Sequence, residues 1–284
     1  MNGDSKLVGM NQARSAALIT TALATFITCS NALKVAAVQH VTVGTGSTAP
    51  AANAALYASD MQQAAGLNVS FIVFPEFGLL GLNFDKNCST NTVAAETCLP
   101  LASHQIGATP CGDAAWHPVV RNLSCAAQDS RVFASVNMCE RAANGTGFNT
   151  QVVFAADGSL AAVYRKMHPW MSKCFMAGPL HLVTFPLPPT TTPIGVFTCK
   201  DILYDTPGPA LAKEGVRFFT YSAAIPLAGG GAEAAWSALY NATVVASNED
   251  ANQSGVFVAG HRLTPSKVPP GAERLLVADL PALG

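Results

Sequence analysis

Pro193-Ile-Gly-Val-Phe-Thr-Cys199-Lys-Asp-Ile-Leu203 reads as a short apolar strand that ends on a cysteine and turns at once into a helix. A strand that is apolar at successive positions, not only at alternate ones, is buried on both faces. Similar runs, rich in β-branched or aromatic residues, recur at 34–39, 71–74, 132–136, 151–155, 216–222, 243–247, 255–259 and 275–279. Helix-compatible segments lie between some of them, at 51–65, 117–128, 209–214 and 232–240. Strands alternating with helices predict a layered α/β domain with its sheet covered on both sides. Two stretches break the pattern. Residues 83–115 hold three cysteines and little periodicity, which predicts a disulfide-tied surface excursion, and residues 261–274, with Pro265, Pro269, Pro270 and Gly271, predict a loop before the last strand.

Of the eight cysteines, Cys29 lies in an apolar leader and Cys88, Cys98, Cys111, Cys125, Cys139 and Cys174 are scattered through loop-like sequence, which leaves Cys199. In an oxidising compartment the six can form three bridges, with 15 pairings open, and the seventh stays a thiol. The leader fits such a compartment. Lys6 and Arg14 flank a polar start, an apolar stretch covers 16–29, and Ser30-Asn31-Ala32 offers small residues for cleavage. Residues 1–32 therefore read as a secretory signal peptide, with a single domain over 33–284. A retained signal anchor is the alternative reading. Six N-x-Ser/Thr sequons, at Asn68, Asn87, Asn122, Asn144, Asn241 and Asn252, predict N-linked glycans. Half of the residues are hydrophobic, 12% are charged, and the net charge is −1 with no basic stripe. That balance gives no reason to expect nucleic acid. The histidines show no HExxH spacing and the cysteines no paired CxxC units, so no metal is expected. Gly229-Gly-Gly231 lacks a GxGxxG or Walker context and reads as a flexible loop.

Three side chains sit where chemistry could be done. Cys199 closes one strand beside a helix start, Glu76 follows the strand 71–74, and Lys166 follows another short strand after the Asp157-Gly158 turn. The order Glu, Lys, Cys, each at the end of an apolar strand, resembles the nitrilase, or carbon-nitrogen hydrolase, superfamily. Around Cys199 the sequence Gly195-Val-Phe-Thr-Cys199-Lys-Asp-Ile-Leu-Tyr-Asp-Thr-Pro207 is similar to the GxFTCFDILFxDP pattern of the biotinidase and vanin (pantetheinase) family. Phe74-Pro-Glu76-Phe-Gly, Asn122-Leu-Ser-Cys125, Phe148-Asn-Thr-Gln-Val-Val-Phe154, Tyr164-Arg-Lys166 and Ala246-Ser-Asn248 extend the resemblance over residues 34–260.

That resemblance implies a four-layer αββα sandwich, no cofactor, and a catalytic triad of Glu76, Lys166 and Cys199 acting on small amides such as pantetheine or biocytin. Chemically, Cys199 would attack an amide carbonyl and form a thioester, and water would then release the acid. Glu76 would move the protons. Lys166 would favour the thiolate and stabilise the oxyanion, with the backbone N–H of Lys200 as a second donor. Lys200, His168 and Trp170 are expected to line the substrate pocket. The chain also departs from the family pattern. Position 200 is usually aromatic, residues 167–175 lack the acidic residue that commonly follows the lysine motif, a sequon at Asn241 stands where an Arg is usual, and no additional C-terminal region is expected. The alternative these departures raise is a glycosylated pseudoenzyme that binds small amides without hydrolysing them.

Overall fold

The computed structural model of the chain describes residues 33–81, 88, 97–170, 173–188, 190–225, 230–249, 253–266 and 274–280. The leader 1–32, most of 83–96, Gly229 and the loop 267–273 lie outside the described residues, as do the sequons at Asn87 and Asn252.

Two six-stranded mixed sheets form the centre. The first runs in the order β12 (Leu275–Leu280), β1 (Leu33–Val38), β2 (Phe71–Val73), β3 (Phe133–Arg141), β4 (Gly147–Phe154), β5 (Leu160–Arg165). The second runs β11 (His261–Arg262), β10 (Gly255–Val258), β9 (Thr243–Asn248), β8 (Phe218–Ala223), β7 (Pro193–Thr198), β6 (Thr184–Pro186). Each sheet has three parallel strands, β1-β2-β3 and β7-β8-β9, extended by antiparallel neighbours. Helices α1 (Ala49–Gly66) and α2 (Pro118–Ser130) cover the first sheet, and α3 (Gly208–Lys213) and α4 (Gly231–Leu239) cover the second.

The side-chain period of two explains why the strands looked apolar throughout. In β1, Ala36 and Val38 pack toward α1 and α2, while Val35 and Ala37 face the other sheet. In β2, Ile72 joins the helix side and Phe71 and Val73 join the inter-sheet core. On β7, Ile194 and Val196 point between the sheets and Phe197 points toward the outer helices. Three stacked cores follow: helix on sheet, sheet on sheet, sheet on helix. The helices obey the same logic. Ala54, Tyr57, Met61 and Ala64 bury one face of α1, and Pro118 opens α2 where its missing N–H is harmless.

Strand ends differ from expectation where polar residues continue the ladder. Residues 132–136 were expected to end a strand, yet β3 runs on to Arg141 through the buried Asn137 and Glu140. The short edge strands β6 and β11 were not expected, since three residues or fewer leave no period to read.

The six loop cysteines pair as Cys88–Cys174, Cys98–Cys139 and Cys111–Cys125. All three cysteines of the 83–115 excursion are thus tied to the body of the domain. Cys98, Cys139 and Cys174 join Phe77, Leu80 and Phe175 in a small satellite core. Among the described residues Cys199 is the free cysteine, and it is buried.

Candidate functional site

β5 is antiparallel to β4, which is antiparallel to β3, so β5 runs in the same direction as β2. Glu76, just beyond β2, and Lys166, just beyond β5, therefore emerge at one edge of the first sheet. Cys199 emerges beyond β7, and hydrogen bonds lock that end of the second sheet to the first. The Ser222 hydroxyl, on β8, donates to the Phe74 carbonyl at 2.7 Å, and the Ser247 hydroxyl, on β9, donates to the Val38 carbonyl at 2.6 Å. The Glu76 N–H donates to the Ala223 carbonyl at 3.2 Å. The carboxyl ends of the parallel strands of both sheets thus converge, the usual place for a ligand in an α/β protein.

Glu76 and Lys166 form a buried ion pair there, with Nζ donating to Oε1 at 2.6 Å and each side chain 1% exposed. The same oxygen accepts from Asn149 Nδ2 at 2.7 Å. Asn149 in turn accepts from Asn137 Nδ2 at 2.7 Å, and Asn137 accepts the Phe77 N–H at 3.0 Å. The backbone N–H of Lys166 donates to the Asn149 carbonyl at 2.8 Å, so one asparagine sets the position of both charged residues. Gly178 closes the other side of Lys166: its N–H donates to the Lys166 carbonyl at 2.8 Å, and a side chain at 178 would run into the Arg165 carbonyl.

The Cys199 sulfur lies in the company of the Glu76 carboxylate, the Lys166 ammonium and the Ala224 N–H, the groups that act on its proton. The Cys199 backbone has φ +50, a left-handed conformation costing about 1–3 kcal/mol for a residue with a side chain. The Tyr221 hydroxyl donates to the Cys199 carbonyl at 2.9 Å and Asp201 fixes the 3-10 turn Cys199–Leu203 that follows. Asp201 is fully buried. Its carboxylate accepts from the Thr198 N–H at 3.0 Å, the Tyr164 hydroxyl at 2.7 Å, the His168 N–H at 3.0 Å and His168 Nδ1 at 2.9 Å. Burial and the Glu76 charge push the Cys199 thiol well above its ordinary pKa, against the pull of Lys166 and the Ala224 N–H. Lys166 was expected to favour the thiolate; its pull is present but is outweighed by burial and the Glu76 charge. Burial alone would depress the Lys166 ammonium, but Glu76, Cys199 and Asp201 together raise it, so it stays charged.

The sequence-predicted residues are thus placed as follows. Glu76, Lys166 and Cys199 meet in one buried cluster. His168 is engaged by Asp201 and its ring stacks on Tyr204 with centroids 3.8 Å apart. Lys200 is half-buried near two aromatic rings, its Nζ 5.8 Å from the Trp170 centroid and 5.7 Å from that of Tyr204. Trp170 itself is exposed. Sequence reasoning missed Asn137, Asn149 and Asp201. No local signal marks them, since the partners that bury these polar groups come from other strands. It also missed Glu249, whose N–H shares the Ala223 carbonyl with that of Glu76; burial raises its carboxyl to about 6, with the Glu76 charge adding and the Thr42 hydrogen bond opposing.

Behind Lys166, Arg165 donates to Glu140 through Nε at 3.0 Å and Nη2 at 2.5 Å, and Glu140 also accepts from His104 at 2.8 Å and Thr150 at 2.6 Å. Burial alone would raise the Glu140 carboxyl, but the bonds from His104, Arg165 and Thr150 hold it down at about 2. A depressed carboxylate stabilises the fold above its unfolded pKa of 4.5 and loses that contribution as pH falls toward 2. Glu140→Gln is therefore expected to lower the unfolding free energy by about 3 kcal/mol near neutral pH, with the deficit shrinking through that acid window. Denaturant titrations at neutral and acid pH measure it; an equal deficit at both would assign the stabilisation to packing instead.

A family model described as carbon-nitrogen hydrolase matches residues 34–248. Biotinidase of Takifugu rubripes is 34% identical over 179 residues, 57% of this chain and 34% of that protein. Pantetheinase of Mus musculus is 29% identical over 171 residues, 53% of this chain and 31% of that one. The matches thus span about a third of the length of these curated relatives. Among solved structures, an amidase from Nesterenkonia sp. superposes with a TM-score of 0.70 at 19% identity, covering 88% of this chain and 91% of that one. Saccharomyces cerevisiae Nit3, described as a member of branch 10 of the nitrilase superfamily, gives 0.67 at 18%, covering 87% and 89%. These likenesses show the fold, which is the αββα sandwich expected from the sequence.

Proposed function

This chain belongs to the carbon-nitrogen hydrolase family, and from that premise we propose that it is a secreted cysteine amidase cleaving a linear secondary amide of a small carboxylic acid. The observation that carries the reading is that the free, buried thiol of Cys199 sits with a carboxylate, Glu76, that is itself paired with a buried ammonium, Lys166.

Each group then has one task. Glu76 takes the thiol proton as the sulfur attacks the carbonyl carbon, so the high thiol pKa at rest is no obstacle. The Lys166 ammonium and the backbone N–H of Lys200 receive the oxyanion that forms as the carbonyl π electrons move to oxygen. The C–N bond breaks, Glu76 hands its proton to the departing amine, and a thioester remains on Cys199. Water attacks that thioester while Glu76 takes one of its protons; the sulfur leaves and recovers the proton, and the free acid departs. The sum is amide plus water to acid plus amine. Asn149 keeps Glu76 and Lys166 in register throughout.

The two relatives named as biotinidase and pantetheinase support biocytin and pantetheine as first substrates. Three disulfides and four exposed sequons, at Asn68, Asn122, Asn144 and Asn241, support passage through a secretory pathway and glycosylation. Among the described residues no helix is long and apolar enough to cross a membrane.

Incubation with each amide, followed by acid quench and peptide mass spectrometry, tests the proposal. Amine release, together with an acyl group on the Cys199 peptide, is the expected result. Absence of both would leave the non-hydrolytic binder as the surviving reading.

A further inference from the structure

Several cations near the site have their counter-ions inside the protein. Lys166 is held by Glu76, Arg165 by Glu140, and Arg274, near the start of β12, by Asp60 at 2.7 Å. Lys200, the residue after the nucleophile, has no carboxylate within ion-pair distance among the described residues. Its neighbour Asp201 is fully buried and already accepts four hydrogen bonds. What lies near the Lys200 ammonium instead is aromatic: the rings of Trp170 and Tyr204, with centroids 5.8 and 5.7 Å away. Tyr204 is a fixed wall, because it stacks on His168 and His168 is bonded to Asp201.

Aromatic faces hold an ammonium without neutralising it, contributing about 0.5–1 kcal/mol at an exposed site. They leave the charge free to meet an anion. Trp170 is 71% exposed and Leu203 70% exposed, so the approach to this cation is apolar. A compact ammonium with no planar fork suits a single carboxylate rather than a bidentate partner.

We propose that Lys200 is a specificity-determining residue, selecting amides that carry a carboxylate on an apolar spacer. This rests on the amidase reading and names the substrate class for the same site. The carboxylate docks on the Lys200 ammonium, its spacer lies along Trp170 and Leu203, and the amide carbonyl reaches Cys199.

Two readouts test it. The first is the kcat/KM ratio for a matched pair, N-butyryl-5-aminopentanoate and N-butyrylpentylamine, in the parent protein, Lys200→Gln and Lys200→Arg. The second needs no turnover: the ratio of Cys199 alkylation rates by iodoacetate and by iodoacetamide in the same three proteins. Both ratios should fall about 5- to 20-fold in Lys200→Gln, recover in Lys200→Arg, and shrink at about 0.5 M salt, where screening acts within a few ångströms. Ratios unmoved in Lys200→Gln overturn the proposal, even if both amides are hydrolysed. Should neither amide be hydrolysed, the amidase reading loses support, while the alkylation ratio still decides the role of Lys200.

Discussion

Cys199→Ala is expected to lose amide turnover by about 10⁴-fold or more, because no other group in the cluster can form the acyl intermediate. Lys166 and Glu76 would still bind and polarise an amide, but water would have to attack without a covalent stage. The substitution should leave the fold nearly as stable as before. Alanine keeps the Cβ, so the left-handed backbone at φ +50 is unchanged, and the buried sulfur contributes only about 1 kcal/mol of packing. Turnover and thermal unfolding on the same preparation separate the two effects. A variant retaining more than about 1% of the parental rate, against the loss expected for a covalent nucleophile, would move the attacking atom elsewhere.

Lys166→Met should be the most destabilising single change at the site. It strands the Glu76 carboxylate, 1% exposed, with only Asn149 and the thiol as partners. Breaking a buried pair by removing one partner costs about 3–5 kcal/mol, whereas replacing both charges by neutral groups can be nearly neutral. The double variant Lys166→Met with Glu76→Gln should therefore regain most of the lost unfolding free energy while remaining inactive. Urea unfolding of the four proteins in the cycle gives the coupling. If the double variant is as unstable as the sum of the two singles, the pair is not electrostatically coupled and the site would need another description.

The strand-end positions of Glu76, Lys166 and Cys199 were legible in the apolar runs, but an acid or a lysine past a strand is commonplace, and what singled the three out together was the resemblance to the nitrilase superfamily. The odd cysteine was legible by parity, but the pairings were not, since connectivity is a property of three-dimensional neighbours. Asn137 and Asn149 were not legible. Inside a strand, an asparagine that faces water and one that holds a buried carboxylate produce the same local pattern, and only the opposite strand distinguishes them. The same ambiguity truncated the expected β3, whose polar second half pairs with β4 and carries Asn137 and Glu140 into the interior. Residues 167–175 supply no acid, and the negative charge that holds the Lys166 ammonium comes chiefly from Glu76, with a smaller contribution from Asp201.

The raised thiol of Cys199 has a consequence for how seven sulfurs coexist in one domain. Disulfide exchange proceeds through thiolate, so a buried sulfur that keeps its proton is a poor attacker of the domain's three bridges and a poor target for oxidants. The same latch that makes the sulfur quiet toward its own chain opens when an acyl group arrives and Glu76 can accept the proton. Reactivity is thereby reserved for guests that reach the buried cluster, and the domain can live among oxidised cysteines without scrambling itself.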